Sequence, residues 1–244
     1  MRNLLLTISF DGSAYHGWQV QENAVTVQQT LQDAWETVCR SRDNVTGCSR
    51  TDAGVHANMY CCNFRTESEI PCDKLIPALN ANLPDDISVS DCAEVPYEFH
   101  ARYDCKSKEY IYKIWNKPEK NPFFYKYSLH YKYPLNEAFL SSQAEQFTGR
   151  YDYSAFCAAG SSVEDTVRNV TEAEVTREGD MVIFRVRADG FLYNMVRIMA
   201  GTLIDISAGK IEPDTIKEII LSKDRSRAGA TARPEGLFLN KIIY

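Results

Sequence analysis

MRNLLLTISFDG, residues 1–12, opens the chain with a predicted β-strand and the turn that ends it. Residues 4–10 are rich in β-forming side chains, and Asp11-Gly12-Ser13 is a turn signal. The next apolar residues recur at helical spacing: Val27, Leu31, Ala34, Trp35 and Val38. Thr26 can cap this helix. The chain therefore begins with a strand followed by a helix.

The remainder of the first half completes a recognisable order of elements. Residues 44–48 and 59–64 are predicted strands, residues 72–82 a short helix, and residues 87–95 a further strand. The resulting order, β-α-β-β-α-β, is the ferredoxin-like arrangement. An α+β fold with an antiparallel sheet is expected.

The second half reads as a loose repetition of this order. Its predicted elements are strand 108–115, helix 135–147, strands 167–176 and 181–188, helices 191–206 and 213–221, and a closing strand 237–243. Residues 177–180 (REGD) form a hairpin turn between two of these strands. We expect two ferredoxin-like (RRM-like) subdomains, residues 1–105 and residues 106–244, joined near residues 101–107.

Composition favours a cytoplasmic protein without a membrane anchor. No run of 18 apolar residues occurs, and residues 1–10 lack the features of a signal peptide. The formal net charge of −6 argues against nucleic acid as a partner. That charge is unevenly placed, because residues 1–105 carry 7 Lys/Arg against 15 Asp/Glu and residues 106–244 carry 20 against 18. A binding face depends on local charge, so nucleic acid stays open.

The eight cysteines favour reduced structural thiols over a metal site. There is no C-x-x-C pair, and adjacent strand residues such as Cys61 and Cys62 face opposite sides of a sheet. A G-x-G-x-x-G nucleotide motif is also absent. We therefore expect neither metal nor cofactor.

Two charged residues stand in unusual surroundings. Asp52 lies in RTDAG (residues 50–54), between two predicted strands, where it either reacts or only hydrogen-bonds its own turn. Arg197 lies in an apolar predicted helix, on one face with Asn194 and Gly201. A guanidinium there needs a carboxylate partner if it is buried, or it reaches water from the helix edge.

Residues 101–133 combine basic and aromatic side chains. Arg102 and seven lysines are interleaved with Tyr, Phe and Trp residues, including Tyr110 and Tyr112 on one strand face. Basic groups offer phosphate contacts, and aromatic rings offer stacking for unpaired bases. Strands are also rich in Tyr and Phe for packing alone, which accounts for about half of these rings.

Taken together, these segments resemble the TruA family of tRNA pseudouridine synthases. The motifs occur in the family's order: residues 10–21 (FDGSAYHGWQVQ), 50–57 (RTDAGVHA), 99–102 (FHAR) with 108–112 (KEYIY), 195–197 (MVR) and 234–239 (PEGLFL). Two departures are Ser49, where family members often have Gly, and Phe10, where many have Tyr. Neither position touches a catalytic group.

The resemblance implies an isomerase that converts uridine to pseudouridine in the tRNA anticodon arm, at tRNA positions 38–40. It implies that Asp52 is the essential carboxylate, acting either as a nucleophile at the ribose or through a glycal route. Arg197 would be its ion-pair partner, Tyr110 would stack on the extruded uracil, and Arg50 would occupy the space that the flipped nucleotide leaves.

The resemblance also implies a homodimer whose two ferredoxin-like units enclose a central catalytic cleft. Four basic residues are candidate phosphate contacts to the tRNA: Lys106, Arg168, Arg225 and Arg227. The alternatives are a non-catalytic RNA-binding protein on the same scaffold and a zinc-dependent base deaminase. The second lacks the H-x-E and P-C-x-x-C pair that its metal site requires.

Overall fold

In the computed structural model, which describes residues 1–160 and 163–244, strand β1 (Arg2–Phe10) is paired on both edges. It runs antiparallel to β3 (His56–Thr66) on one side and to β4 (Ile87–Val95) on the other. Leu4, Leu6 and Ile8 are fully buried. This two-residue periodicity places one face of β1 in the core.

The chain divides into two compact units. The first comprises Met1–Lys106 with Leu239–Tyr244, and the second comprises Ser107–Phe238. The sequence assigns residues 239–244 to the second domain, but these residues of the last strand lie beside β3 in the first unit. Pairing with a distant strand decides this placement, and local sequence does not encode it.

The first unit has the element order predicted from sequence. Its elements are β1, α1 (Val27–Cys39), β2 (Val45–Gly47), β3, α2 (Cys72–Asn80) and β4, followed by the C-terminal part of β10 (Leu237–Ile243). The strand order is β4-β1-β3-β10, and β2 also pairs antiparallel with β3. The β-α-β-β-α-β prediction is confirmed for this half of the chain.

Helix α1 is capped and buried as its sequence predicts. The Thr26 hydroxyl accepts a hydrogen bond from the Gln29 backbone N–H at 3.3 Å. The fully buried Trp35 ring stacks on Phe64 of β3, with centroids 4.0 Å apart, and its Nε1 donates to Asp43 at 3.0 Å. This stack fixes the helix against the sheet.

A buried amide pair fastens the end of the first unit to its sheet. Asn63 Nδ2 donates to Asn3 Oδ1 at 2.8 Å, and Asn3 Nδ2 donates to the Phe99 carbonyl at 2.8 Å. The Ala101 N–H in turn donates to Asn63 Oδ1 at 2.9 Å. The chain is thereby held at the place where the sequence predicts the junction between its halves.

The second unit is built on a four-stranded path. Its elements are β5 (Ser107–Trp115), β6 (Leu129–His130), α3 (Glu137–Glu145), β7 (Gly149–Asp152), β8 (Val167–Glu178), β9 (Met181–Ala188), α4 (Met195–Ser207) and α5 (Ile216–Ser222). The strand order is β5-β9-β8-β7, all antiparallel, and the two-residue β6 pairs parallel with β5. The short strands β6 and β7 were not predicted.

One predicted helix begins later than its sequence suggested. Residues 191–194 were assigned to the helix that includes Arg197, but α4 starts at Met195. The reason is Asn194, which has φ 59° in the left-handed region and cannot continue a right-handed helix. The spacing of apolar residues predicts which side chains are buried, but it does not predict the backbone angle of Asn194.

Within the described residues, no helix is long and apolar enough to cross a membrane. The eight cysteines, all among the described residues, are in the thiol form. Burial raises the pKa of the Cys62 thiol well above its usual value, so this group stays protonated at neutral pH.

Replacing Trp35 tests the packing of the first unit. Trp35→Ala should lower the free energy of unfolding by about 3–5 kcal/mol, because it removes the stack on Phe64 and leaves a cavity. Trp35→Phe keeps a ring on Phe64 but loses the Asp43 hydrogen bond and part of the indole volume, so its loss should be smaller, about 1–2 kcal/mol. Urea unfolding followed by far-UV circular dichroism measures both. Equal losses would contradict the role given to the stack.

Candidate active site

Asp52 lies in a tight turn between β2 and β3. The Val55 N–H donates to the Asp52 carbonyl at 3.2 Å, and Gly54 has φ 77°, which a residue without a Cβ adopts freely. The Asp52 residue is half-buried. The turn expected from RTDAG is therefore present, with Asp52 as its first residue.

The segment Tyr15–Trp18 holds the Asp52 turn in place. The Trp18 N–H donates to the Thr51 carbonyl at 3.2 Å, and the Gly54 N–H donates to the Tyr15 carbonyl at 3.2 Å. Gly17, at φ 84°, lies so close that a Cβ there would be 2.3 Å from the Thr51 oxygen. The sequence analysis did not predict that this segment supports the Asp52 turn. Gly17, within residues 10–21, was the residue that could have indicated it.

Aromatic packing between Trp18 and β3 also supports the Asp52 turn. The Trp18 ring stacks on Tyr60 of β3 with centroids 4.2 Å apart. The Tyr60 hydroxyl donates to the Ser49 carbonyl. Ser49 thus serves the turn through its backbone, which any residue supplies, so its departure from the family's Gly leaves this contact intact.

His56 is a buried structural group at the base of the turn. It is 1% exposed, and its Nδ1 accepts a hydrogen bond from the Gly12 N–H at 3.1 Å. Asp11 Oδ1 lies 3.1 Å from the same nitrogen. A Cβ at Gly12 would be 1.9 Å from the Val55 carbonyl oxygen. These contacts lock the first motif onto the second.

Thr51 presents a buried hydroxyl directly before Asp52. The residue is 8% exposed. Its Oγ1 has no hydrogen-bond partner among residues 1–160 and 163–244. A buried polar atom without a partner is costly, so the Asp52 turn keeps an unsatisfied hydroxyl beside its carboxylate residue.

Arg197 projects from the first turn of α4 with its orientation fixed. Its Nη1 donates to Asn194 Oδ1 at 2.6 Å, and its Nε donates to the Ala232 carbonyl at 2.7 Å. The Ala232 N–H returns a bond to the Arg197 carbonyl at 3.0 Å. The side chain is half-buried. These bonds define the direction in which the guanidinium points.

The helix face predicted from Asn194, Arg197 and Gly201 packs against the segment 228–232. A Cβ on Gly201 would be 1.7 Å from the Ala230 carbonyl oxygen, so only glycine permits this approach. The Gly229 N–H also donates to the Thr202 hydroxyl at 2.9 Å. The predicted face is therefore present for Arg197 and Gly201, whereas Asn194 precedes the helix and meets Arg197 through its side-chain oxygen.

Tyr110 and Tyr112 lie on β5 and are both buried. The Tyr110 ring meets Phe191 edge to face with centroids 5.0 Å apart. The Tyr112 hydroxyl donates to the Arg233 carbonyl at 2.7 Å, and burial raises its pKa far above the usual range. Tyr112 is thus committed to the fold.

The other predicted tRNA contacts differ in their availability. Arg50, Lys106 and Arg227 are exposed. Arg168 donates to the Asp165 carbonyl at 2.9 Å, and Arg225 donates to Thr231 Oγ1 at 3.2 Å. These last two residues are half-buried and hydrogen-bonded in their own unit, whereas the exposed Arg227 has only a long surface ion pair with Glu218, at 3.7 Å. Arg168 and Arg225 are therefore less available to phosphate than the exposed side chains.

Comparison with known proteins follows the same segments. The family described as "tRNA pseudouridine synthase" matches residues 6–104 and 143–244. A protein of Thermoanaerobacter sp. (strain X514) named "tRNA pseudouridine synthase A" is 47% identical over 244 residues, covering 100% of both chains. A protein of Caldicellulosiruptor bescii with the same name is 44% identical over 244 residues, covering 100% of both chains. A protein of Clostridium perfringens named "tRNA pseudouridine synthase A 2" is 42% identical over 244 residues, again covering 100% of both chains.

Glycine replacement tests the support of the Asp52 turn. Gly17→Ala adds a left-handed strain of about 1–2 kcal/mol and also a clash with the Thr51 carbonyl, so it should destabilise the chain markedly. Gly179→Ala is the matched control, since Gly179 has φ 60° in a hairpin turn and a Cβ there meets no described atom within 4 Å. The unfolding free energy of Gly17→Ala should fall at least about twice as far as that of the control. Equal losses would mean that the close approach is unimportant.

Proposed function

This chain belongs to the tRNA pseudouridine synthase family, and we propose that it isomerises uridine in the anticodon arm of tRNA. The enzyme is an isomerase acting on tRNA, in line with relatives that match its full length. The observation that carries the site assignment is the clamped turn that presents the Asp52 carboxylate beside the buried Thr51 hydroxyl.

The reaction needs a carboxylate and no change of oxidation state. The bond from uracil N1 to the ribose is broken, the base turns, and a carbon–carbon bond forms through C5, whose proton leaves. Asp52 either attacks the ribose or removes its 2′ proton in a glycal route. Both roles need an ionised carboxylate held in a defined position, and the Gly17 and Gly54 contacts support that requirement.

We assign Arg197 as the charge partner of Asp52. A guanidinium keeps its charge under all physiological conditions, so it can hold a nearby carboxylate ionised. Its bonds to Asn194 and Ala232 support the assignment, because they fix the orientation of the guanidinium within the second unit. A preorganised charge costs no reorganisation during the reaction.

Tyr110 and Arg50 are assigned to the substrate base and its backbone. The Tyr110 ring is held by Phe191, which suits a fixed stacking surface for the everted uracil. Arg50 is exposed directly beside the turn, so it is suited to fill the vacated place in the RNA. Lys106 and Arg227 are the stronger candidates for phosphate contacts, while Arg168 and Arg225 would first have to release backbone or side-chain partners.

We further propose two ferredoxin-like subdomains that enclose a catalytic cleft in a cytoplasmic homodimer. The first unit would carry Asp52, and the second unit, residues 107–238, would carry Tyr110 and Arg197. The strand order β4-β1-β3-β2 in the first unit supports the fold. In the second unit the three long strands follow one another in the chain as β5, β8 and β9. Their order in the sheet, β5-β9-β8, matches the 1-3-2 part of the first unit's order.

Asp52→Asn tests the carboxylate. Tritium release from tRNA labelled at uridine C5 should fall by at least about a thousandfold, because an amide neither attacks the ribose nor accepts its proton. Binding of tRNA should persist. Asp33→Asn, on the exposed face of α1, is the matched control and should retain turnover. Retained turnover in Asp52→Asn would remove the proposed mechanism. Absence of tritium release from the native chain would instead indicate a non-catalytic RNA-binding role.

Arg197→Met tests the charge partner. Turnover should fall by about a hundredfold while tRNA binding persists, and Arg197→Lys should rescue it only in part because an ammonium lacks the two-pronged geometry. Arg177→Met is the control, since Arg177, like Arg197, donates to a side-chain oxygen and a backbone carbonyl within the second unit, here those of Glu137 and Leu135. The control should lose stability but keep turnover per folded molecule. Similar kinetics in the two Met variants would mean that Arg197 acts only on the fold.

A further inference from the structure

The loop after β5 presents aromatic rings to solvent. We call residues 123–127 (FFYKY) the aromatic platform. Phe123 is 82% exposed and Tyr125 is 66% exposed. Large apolar side chains this exposed, side by side in sequence, mark a surface that meets another molecule.

Hydrogen bonds and packing hold these rings outward. The Phe123 N–H donates to Asn121 Oδ1 at 2.9 Å, and the Tyr127 N–H donates to the Phe124 carbonyl at 2.9 Å. The Ser128 hydroxyl donates to the same carbonyl at 3.0 Å. Phe124 itself packs on Trp115 with ring centroids 5.2 Å apart. Phe124 is thus the anchor, and its two neighbours are displayed by an ordered loop.

The charge of this loop is opposite to that of the whole chain. Residues 116–133 contain four lysines and one glutamate, in a chain of net charge −6. Lys126 lies 5.9 Å from the centre of the Tyr125 ring, and Lys132 lies 5.1 Å from that of Tyr133. Ammonium groups beside exposed rings complement a ligand that has both phosphates and flat bases.

The platform is separated from the stacking residue assigned above. Tyr110 and Trp115 are five residues apart on β5, which is about 17 Å at about 3.3 Å per residue. The loop begins only after Trp115. One everted uridine on Tyr110 therefore does not account for the rings at Phe123 and Tyr125.

We propose that the aromatic platform binds unpaired nucleotides of the tRNA at a place distinct from the modified uridine. Phe123 and Tyr125 stack on the bases, and Lys120 and Lys126 face the phosphates. Paired bases are closed to such stacking, so the platform selects loops or ends of the RNA. This inference rests on the proposed tRNA substrate and adds a second contact surface to it.

Removing both rings tests the platform on the full chain. Phe123→Ser combined with Tyr125→Ser should weaken the Kd for full-length tRNA by at least about thirtyfold, since each of the two stacked bases contributes about fivefold or more to affinity. The kcat at saturating tRNA should stay unchanged, because the reacting groups are untouched. Tyr97→Ser, which removes an exposed ring on the first unit, is the control and should keep the native Kd. An unchanged Kd in the double variant would overturn the proposal.

A photoreactive phenylalanine at position 123 identifies the occupant directly. Irradiation with tRNA should give a protein–RNA cross-link, and the same group at position 97 should not. A cross-link between two protein chains, with a changed molecular mass of the double variant in light scattering, would make the surface a protein interface and overturn the proposal. Failure of the native chain to release tritium would instead reject the proposed activity, and the tRNA cross-link would still report on the platform.

Discussion

The geometry of the candidate site depends on two backbone approaches that leave no room for a side chain. Gly12 meets Val55, and Gly17 meets Thr51, each at a distance where a Cβ would collide with a carbonyl oxygen. Both join the first motif of the chain to the turn that holds Asp52. The carboxylate is therefore positioned by the contact between two loops, which neither loop could achieve alone.

The second unit uses the same device for its charged residue. Gly201 allows the segment 228–232 to approach α4, and that segment supplies the carbonyl of Ala232 to Arg197. Asn194 contributes both its left-handed backbone, which starts the helix, and its side-chain oxygen, which holds the guanidinium. In each unit, a glycine allows two backbone segments to approach closely, and this contact fixes the position of a charged residue.

Much of the architecture was predictable because the spacing of apolar residues, turn residues and helix caps indicates strands and helices locally. Alternation and turn residues gave the bounds of β4, β9 and β10 correctly, and Thr26 gave the cap of α1. The start of α4 was predicted too early because the left-handed φ angle of Asn194, which ends the preceding turn, leaves no mark in the pattern of apolar residues. The support that Gly17 gives to the Asp52 turn was missed because it depends on contact with a segment more than thirty residues away. The residues of the candidate site were named from motifs, whereas their supporting contacts required the fold.

The discontinuous make-up of the first unit has a consequence for biosynthesis. Its sheet includes Leu239–Tyr244, and Tyr244 donates its hydroxyl to the Ala101 carbonyl at 2.8 Å. On the ribosome, residues 1–106 emerge long before this last strand exists. β3 cannot pair with residues 239–244 until the ribosome has translated the entire second unit, so the sheet of the first unit is completed only after residues 107–238 have been synthesised.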